Sequence, residues 1–146
     1  RSSNFYRERK KMPLIKWLDK YNINIEDMDD QHKKWIGCIN RLYEAKQAEK
    51  DIDLILKLLD DVIDYTETHF IQEEELIKQH GYKDYDNHKA IHDSLIRELM
   101  TLRQRFGAKS QNLPTKVLQL LNNWVVDHIM KVDRKYGVYL NSKGVT

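Results

Sequence analysis

Four long segments of this chain repeat their apolar residues every three or four positions, and this periodicity constrains the fold more than any other sequence feature. Such a repeat places the apolar side chains on one face of a helix, because a helix turns by about 100° per residue. The chain has five glycines and two prolines, and most of them stand where the periodic segments end. The sequence therefore predicts an all-α fold.

The periodic segments also predict where the helices begin and end. Asp51 is placed to cap the second helix, and Gly81, Gly107 and Gly137 follow the last periodic residues of the second, third and fourth helices. Because the connections are short, neighbouring helices must run antiparallel, which gives an up-down-up-down antiparallel four-helix bundle after an irregular N-terminal arm. The predicted helices cover residues 27–48, 52–80, 86–106 and 115–136.

Length and charge limit the organisation of the chain and its partners. Its 146 residues, 40% of them hydrophobic, suit one domain. A formal net charge of +2 argues against binding to nucleic acid or to an anionic membrane surface. No apolar stretch reaches the roughly 20 residues that a membrane-spanning helix needs, and no signal-peptide pattern opens the chain. We therefore expect no membrane insertion and a cytoplasmic protein. The predicted division is an N-terminal arm or connector over 1–13, the domain over 14–140 and a C-terminal tail over 141–146.

The N-terminus carries a second indication about partners. The sequence begins at Arg1 rather than methionine, and a charged run extends from Arg7 to Lys11. We interpret this run as a solvated connector. Such a start is typical of a segment of a longer chain, so an upstream signalling module is an expected partner.

Polar side chains interrupt the apolar faces of all four predicted helices. A buried imidazole or carboxylate without a partner is costly, so such groups are normally paired with one another or bound to a metal. One or two core histidines would usually be hydrogen-bonded structural residues, but five together favour a metal site. The interrupting residues are His32, His69, Glu73, His88, His92 and His128.

The positions of these residues predict that they meet at one end of the bundle. The motifs HxxxE from His69 and HxxxH from His88 each place two side chains on the same helix face, one turn apart. In an antiparallel bundle, the starts of the first and third helices adjoin the ends of the second and fourth. His32 and the HxxxH pair are early in their helices, whereas the HxxxE pair and His128 are late in theirs. All six side chains are therefore expected to converge.

Asp133 departs from this regular spacing. It follows His128 by five residues, which puts it about 140° from a common helix face. Either its side chain reaches in from the edge of the apolar face, or the helix contains a π-type turn. Such a turn brings residues five apart into line and tends to occur at functional sites. We predict the π-type turn.

The combined donor set indicates the kind of metal. Five imidazoles and two carboxylates are too many ligands for one tetrahedral zinc ion and too rich in nitrogen for calcium or magnesium. They suit two transition-metal ions with bridging carboxylates. The sequence lacks the HExxH motif of zinc peptidases and the ExxH pairs of ferritin-like di-iron oxidases.

Four motifs along the chain resemble those of the hemerythrin family, in particular of bacterial hemerythrin-like domains. The resemblance covers about residues 14–140. It implies a non-haem di-iron centre. The motifs are DDQH from Asp29, HFIQEEE from His69, GYKDYDNHKAIH from Gly81 and WVVDHIMKVDRKYG from Trp124.

The same resemblance implies a role for each candidate metal ligand. It implies His88, His92 and His128 as ligands of a coordinatively saturated iron. It implies His32 and His69 as ligands of the second iron, whose open site takes dioxygen. Glu73 and Asp133 are implied as bridges between the two iron ions, with an oxo or hydroxo group as the third bridge.

The function that the resemblance implies is reversible dioxygen binding, in an oxygen carrier, a store, or an oxygen- or redox-sensing module. Reversibility requires a pocket that excludes water and reductant. Trp35 occupies a place where the family commonly has a smaller aliphatic residue, so we expect it to narrow or redirect the route of oxygen. The residues expected to wall the pocket are Trp35, Ile39, Phe70, Trp124, Val125 and Ile129.

The donor set leaves a second function open, a di-iron enzyme acting on nitric oxide or peroxide. General acid catalysis needs a proton donor within hydrogen-bond reach of the reacting group. The residues expected around the open site are inert toward proton transfer. We therefore favour oxygen binding over enzymatic turnover and assign no catalytic residue.

Four polar residues near the candidate ligands receive no ligand role. His80 is expected to interact with the C-terminal end of the second helix. Glu74 and Glu75 are turned away from Glu73 and are expected to face solvent. For Tyr136, a hydroxyl contact near the site and simple packing against a neighbouring helix are equally good interpretations.

Overall fold

The structure, a computed structural model that describes residues 12–106 and 110–146, is a bundle of four long helical segments. Each segment packs against the next along the chain, and the fourth also packs against the first. The predicted all-α four-helix bundle is confirmed. The segments are α1 (Glu26–Gln47), α2 (Ile52–Gln79), α3 (Tyr85–Phe106) and a composite fourth segment of α4 (Asn112–His128), a π-helical turn (Ile129–Asp133) and α5 (Arg134–Ser142).

Two of the predicted helix boundaries are explained by local contacts. The Asp51 carboxylate accepts a hydrogen bond from the Leu54 backbone N–H at 3.1 Å, which caps the start of α2. Gly81 has a φ of 69°, and its N–H donates to the Lys78 carbonyl at 3.0 Å. A left-handed glycine of this kind ends a helix at little steric cost. The predicted stop at Gly107 lies outside the described residues.

The fourth helical segment is longer at both ends than the sequence predicted. It starts at Asn112 rather than at residue 115, with Pro114 inside its first turn. Proline is tolerated there because the first N–H groups of a helix have no partner within it. It continues to Ser142, so the predicted end at residue 136 is wrong.

Gly137 lies within α5 and allows another part of the chain to come close. It is buried, and a Cβ atom at this position would lie only 2.7 Å from the Ile23 carbonyl oxygen. Ile23 belongs to the segment before α1, which packs against α5 here. The glycine therefore permits close packing of this segment and does not stop the helix.

The segment that precedes α1 is fixed to this end of the bundle by hydrogen bonds. The buried Asp29 carboxylate accepts from the backbone N–H groups of Ile23 at 2.8 Å and Asn24 at 3.1 Å. The Asn141 side chain donates to the Asn24 carbonyl at 3.0 Å. The chain before α1 and the end of α5 are therefore joined directly. Most of the predicted arm over 1–13 lies outside the described residues.

The bundle interior is divided along its length into an apolar half and a polar half. The apolar half lies where α1 and α3 end and α2 and α4 begin, and each fully buried leucine there contributes about 1.5–3 kcal/mol to stability. This contribution offsets the cost of burying polar groups at the other end. The apolar half includes Leu42, Leu59, Leu99, Leu113 and Leu121.

None of the described helices meets the length and hydropathy that a membrane crossing requires.

Replacing Gly137 with alanine should destabilise the protein, although alanine is intrinsically the better helix former. The added methyl group would collide with the Ile23 carbonyl, and overpacking of this kind costs about 1–3 kcal/mol. Gly37→Ala is the matched control, because a Cβ in the middle of α1 would meet only Arg41 Nη1, at 3.6 Å. It should raise the free energy of unfolding by up to about 1 kcal/mol. Chemical denaturation of both variants measures the difference, and equal stabilisation by the two would contradict the packing role of Gly137.

Candidate metal centre

Seven buried side chains meet in the polar half of the bundle. They form two overlapping groups, and the potential ligand atoms within each group lie within 4.8 Å of one another. The structure thus brings together every residue that the sequence singled out as a metal ligand. The larger group contains Glu73, His88, His92, His128 and Asp133, and the smaller contains His32, His69 and Glu73.

The Glu73 carboxylate lies between the two groups. Its Oε1 is 2.8 Å from His88 Nε2 and 3.1 Å from His92 Nε2. Its Oε2 is 3.3 Å from His32 Nε2 and 3.4 Å from His69 Nε2. Each oxygen therefore faces a different group, as a carboxylate that bridges two metal ions must.

Asp133 is the second carboxylate that faces both groups. Its Oδ1 is 3.0 Å from His128 Nε2 and 3.3 Å from His88 Nε2, while its Oδ2 is 3.2 Å from His32 Nε2. The turn that ends at Asp133 is π-helical, as predicted from the five-residue spacing. A π-helical turn accommodates the extra residue and so aligns His128 with Asp133 on one face.

Hydrogen bonds outside the cluster fix the proton positions on two imidazoles. The Gln31 amide N–H donates to Gln72 Oε1 at 2.6 Å, so Gln31 Oε1 faces His69 Nδ1, at 2.8 Å. His92 Nδ1 faces Glu74 Oε2 at 2.8 Å, and an ionised carboxylate can only accept. Both imidazoles therefore carry a proton on Nδ1, so Nε2 is the nitrogen that faces the cluster and can bind a metal ion.

Unsatisfied buried atoms show that this donor set fits metal ions. His69 Nε2 and both Asp133 oxygens are buried without a hydrogen-bond partner among the described residues, although imidazole or carboxylate atoms lie within 3.4 Å of each of them. His92 Nε2 and His128 Nε2 face each other at 3.1 Å. Imidazole nitrogens and carboxylate oxygens that converge in a buried site are suited to hold cations between them. Imidazole with carboxylate is a donor combination that transition metals accept.

The carboxylates also change the proton affinity of the cluster. Burial lowers the pKa of His32, but the nearby Asp133 and Glu73 carboxylates outweigh burial and raise the pKa to about 9. His92 is also raised to a pKa of about 9, because Glu73 and Glu74 outweigh its burial. Burial would raise the pKa of Glu73, yet the surrounding imidazoles hold it well below its usual value. A metal ion that binds these atoms must therefore displace protons.

Tyr136, one turn after Asp133, makes a hydroxyl contact with the cluster. Its hydroxyl donates to Glu73 Oε2 at 2.7 Å, and its side chain is fully buried. Burial, reinforced by the Glu73 and Asp133 charges, raises the pKa of Tyr136 well above its ordinary value. Of the two interpretations left open by the sequence, the structure shows the hydroxyl contact.

Aromatic rings cover two of the imidazoles of the larger group. Phe70 stacks on His92 with ring centroids 3.7 Å apart and an interplanar angle of 2°. Trp124, which is half-buried, stacks on His128 with centroids 4.1 Å apart. These rings restrict the orientation of the imidazoles and the access of water. The other predicted wall residues Ile39, Val125 and Ile129 are buried as well.

Trp35 is completely buried beside the smaller group. Its ring centroid is 5.3 Å from that of His69. The indole N–H donates to Thr66 Oγ1 at 2.8 Å, and the Thr66 hydroxyl donates in turn to the Val62 carbonyl at 2.7 Å. This chain of hydrogen bonds satisfies the buried indole and fixes its orientation.

Sequence reasoning missed two residues that contact the imidazoles from outside. Glu75 is exposed as expected, but the expectation that Glu74 faces solvent is wrong, because it is half-buried against His92. Gln31 received no role, although it stands next to His32 in the DDQH motif. The available signal was chemical, since a metal-bound imidazole usually donates its other N–H to a carboxylate, a carbonyl or water. His80 Nδ1 lies 2.9 Å from the Leu76 carbonyl at the end of α2, outside the cluster.

Fold and cluster define this protein as a four-helix bundle with a buried donor set for a two-metal centre. Residues 24–140 match the Hemerythrin HHE cation binding domain. The Bacteriohemerythrin of Methylococcus capsulatus is 34% identical over 90% of this chain and 100% of its own length. The Myohemerythrin of Theromyzon tessulatum is 26% identical over 82% of this chain and 88% of its own.

A solved structure is similar in fold as well as in sequence. The crystal structure of a hemerythrin point mutant superposes with a TM-score of 0.79 and 34% identity, covering 87% of this chain and 97% of that one. The chain therefore belongs to the hemerythrin family. This family uses a di-iron centre, and the seven-residue cluster offers donors able to hold metal ions.

Proposed function

We propose that this chain binds dioxygen reversibly at a non-haem di-iron centre held by His32, His69, Glu73, His88, His92, His128 and Asp133. The observation that carries the proposal is the inequality of the two donor groups around the shared carboxylates. Iron in this site supplies redox-active metal ions at which dioxygen can bind. The protein contributes the donors, their orientation and the exclusion of water.

The number of donors distinguishes the two metal positions. The larger group offers three imidazoles and one oxygen from each carboxylate, which gives five protein donors. The smaller offers His32 and His69, Glu73 Oε2, and Asp133 Oδ2, which lies 3.2 Å from His32 Nε2. The larger group would therefore hold its metal ion with one more protein donor than the smaller group. The smaller group, which offers fewer protein donors, is the proposed oxygen site.

The side chains beside the smaller group favour reversible binding. Trp35 is completely buried against His69, and Phe70 is buried between Trp35 and His92. Such a wall would exclude water and external reductants, and reversible binding requires this exclusion. Carrier, store and oxygen- or redox-sensing module all need this protection. The cytoplasmic location and the upstream signalling module stay predictions.

The surroundings favour binding over enzymatic turnover. The Tyr136 hydroxyl contacts the cluster, but it already donates to Glu73, and its raised pKa makes it a poor acid. The aromatic and aliphatic residues proposed for the pocket have no proton to transfer. Oxygen binding without turnover is general in the family, and action on nitric oxide or peroxide would need a better donor.

Repeated oxygenation of the reduced protein tests this function. Iron-loaded protein is reduced without air, exposed to oxygen and then evacuated, while the visible absorption spectrum is recorded through several cycles. We expect a band that appears with oxygen and disappears on evacuation. Immediate and irreversible oxidation, or turnover of peroxide or nitric oxide faster than oxygen release, would favour an enzyme or a redox sensor instead.

Removing one imidazole of the smaller group should remove one metal ion. The chain has two donor groups, so we expect His69→Ala protein to bind about half as much iron per chain as the unmodified protein. His80→Ala is the matched control, because it also removes a histidine of the α2 region but lies outside the cluster. Metal analysis after gel filtration gives the stoichiometry. Full iron content in His69→Ala would contradict the proposed ligand set.

Replacing Trp35 with a smaller side chain should speed the entry of oxygen to the smaller group. Trp35→Leu removes the ring beside His69 and keeps an apolar side chain, so oxygen association and irreversible oxidation should both become faster. Trp17→Leu is the control, because Trp17 packs on Tyr21, outside the seven-residue cluster. Stopped-flow absorbance measures both rates. Rates equal to those of the control would show that Trp35 does not limit access.

A further inference from the structure

We propose that Gln31 and Glu74 make the two metal positions electrostatically unequal, by placing a neutral amide behind one imidazole and a carboxylate behind another. The inference rests on the proposed di-iron function and concerns how its two positions are tuned. Gln31 contacts His69 of the smaller group, and Glu74 contacts His92 of the larger group. Both are positioning residues, because neither offers an atom to the metal cluster itself.

The two contacts are equal in geometry and different in charge. Each joins an imidazole Nδ1 to a side-chain oxygen at 2.8 Å. Each therefore fixes the same tautomer and directs Nε2 into the cluster. An amide oxygen does this without adding charge, whereas a carboxylate also makes the imidazole a more basic and more electron-donating ligand.

Both partners are themselves held in place. The Gln31 amide donates to Gln72, and its backbone carbonyl accepts from the Tyr65 hydroxyl at 3.0 Å. Glu74 Oε1 lies 3.8 Å from Lys89 Nζ, but the Lys89 side chain is 45% exposed and also contacts Asp93 at 3.0 Å. A solvated ammonium of this kind offsets little of the Glu74 charge.

The remaining imidazoles do not balance this difference. His32 Nδ1 and His88 Nδ1 are buried without a hydrogen-bond partner among the described residues. Within that part of the chain, Gln31 and Glu74 are the side chains that hydrogen-bond an outward-facing cluster nitrogen. The larger group therefore has a carboxylate, Glu74, hydrogen-bonded to one of its imidazoles, whereas His69 of the smaller group has only the neutral Gln31 amide.

This difference in charge should make the two metal ions differ in how readily they are oxidised. The carboxylate behind His92 would stabilise a more positive, oxidised metal ion at the larger group. The amide behind His69 would give no such stabilisation at the smaller group, which is proposed to bind oxygen. A metal ion held by the larger group would therefore be oxidised more readily than one held by the smaller group.

Isosteric exchanges separate charge from shape. Glu74→Gln keeps an acceptor for His92 and removes the charge, and Gln31→Glu keeps an acceptor for His69 and adds one. Glu75→Gln removes a charge from the exposed neighbour of Glu74, and Gln119→Glu adds one at an exposed residue of α4. These two variants control for general electrostatics and for folding.

The experiment measures redox midpoint potentials of the iron-loaded variants and, separately, the affinity of each for Zn²⁺. We expect Glu74→Gln to raise the midpoint potential and to weaken binding of the most tightly bound zinc ion by about tenfold, the lower end of the range for mutation of a residue that supports a metal ligand. Gln31→Glu should lower the potential. Both control variants should match the unmodified protein.

The possible outcomes separate this inference from the function on which it rests. If the unmodified protein binds fewer than two metal ions, both are overturned. If it binds two, and Glu74→Gln shifts the potential no more than Glu75→Gln does, the positioning role of Glu74 is overturned and the proposed function stands. If Gln31→Glu raises the midpoint potential, the proposed difference in charge between the two metal positions is overturned and the proposed function again stands.

Discussion

The structure depends on one requirement, that two carboxylates buried away from water be surrounded by groups that compensate their charge. Glu73 and Asp133 are fully buried and contact the five cluster imidazoles. Removing one partner from a buried charge is far more costly than losing a surface contact. Every helical segment must therefore deliver its imidazole or carboxylate to the same few ångströms. The apolar half of the bundle provides the stability that holds this end together.

Helix period and bundle direction were sufficient to predict six of the seven clustered residues. Four-residue spacing identifies a shared face, and antiparallel packing identifies a shared end, so both follow from the sequence alone. Asp133 needed a further argument, that a π-helical turn, rather than a side chain reaching in from the edge of the apolar face, brings two residues five apart onto one face. The structure contains this turn at Ile129–Asp133.

The features that the sequence could not predict depend on contacts between distant parts of the chain. In the sequence, Gly137 has the pattern of a residue that ends a helix. In the structure it lies inside α5, where it packs against Ile23, a residue far away in the sequence. Glu74 faces solvent on a helical wheel, but a glutamate side chain is long enough to reach His92 on the next helix. A helical wheel records the direction of the Cβ atom and not the reach of the side chain. Local periodicity therefore finds the residues inside the cluster more readily than those that contact it from outside.

The π-helical turn has a consequence for everything that follows it. One extra residue in the turn rotates α5 by about 100° relative to an uninterrupted helix. Tyr136, Gly137 and Leu140 are buried in this rotated phase. The same extra residue therefore directs Asp133 into the cluster, brings the Tyr136 hydroxyl to Glu73 and places Gly137 beneath the segment before α1. Loss of that single residue would change the helix phase and disrupt the donor set and the closure of the bundle end together.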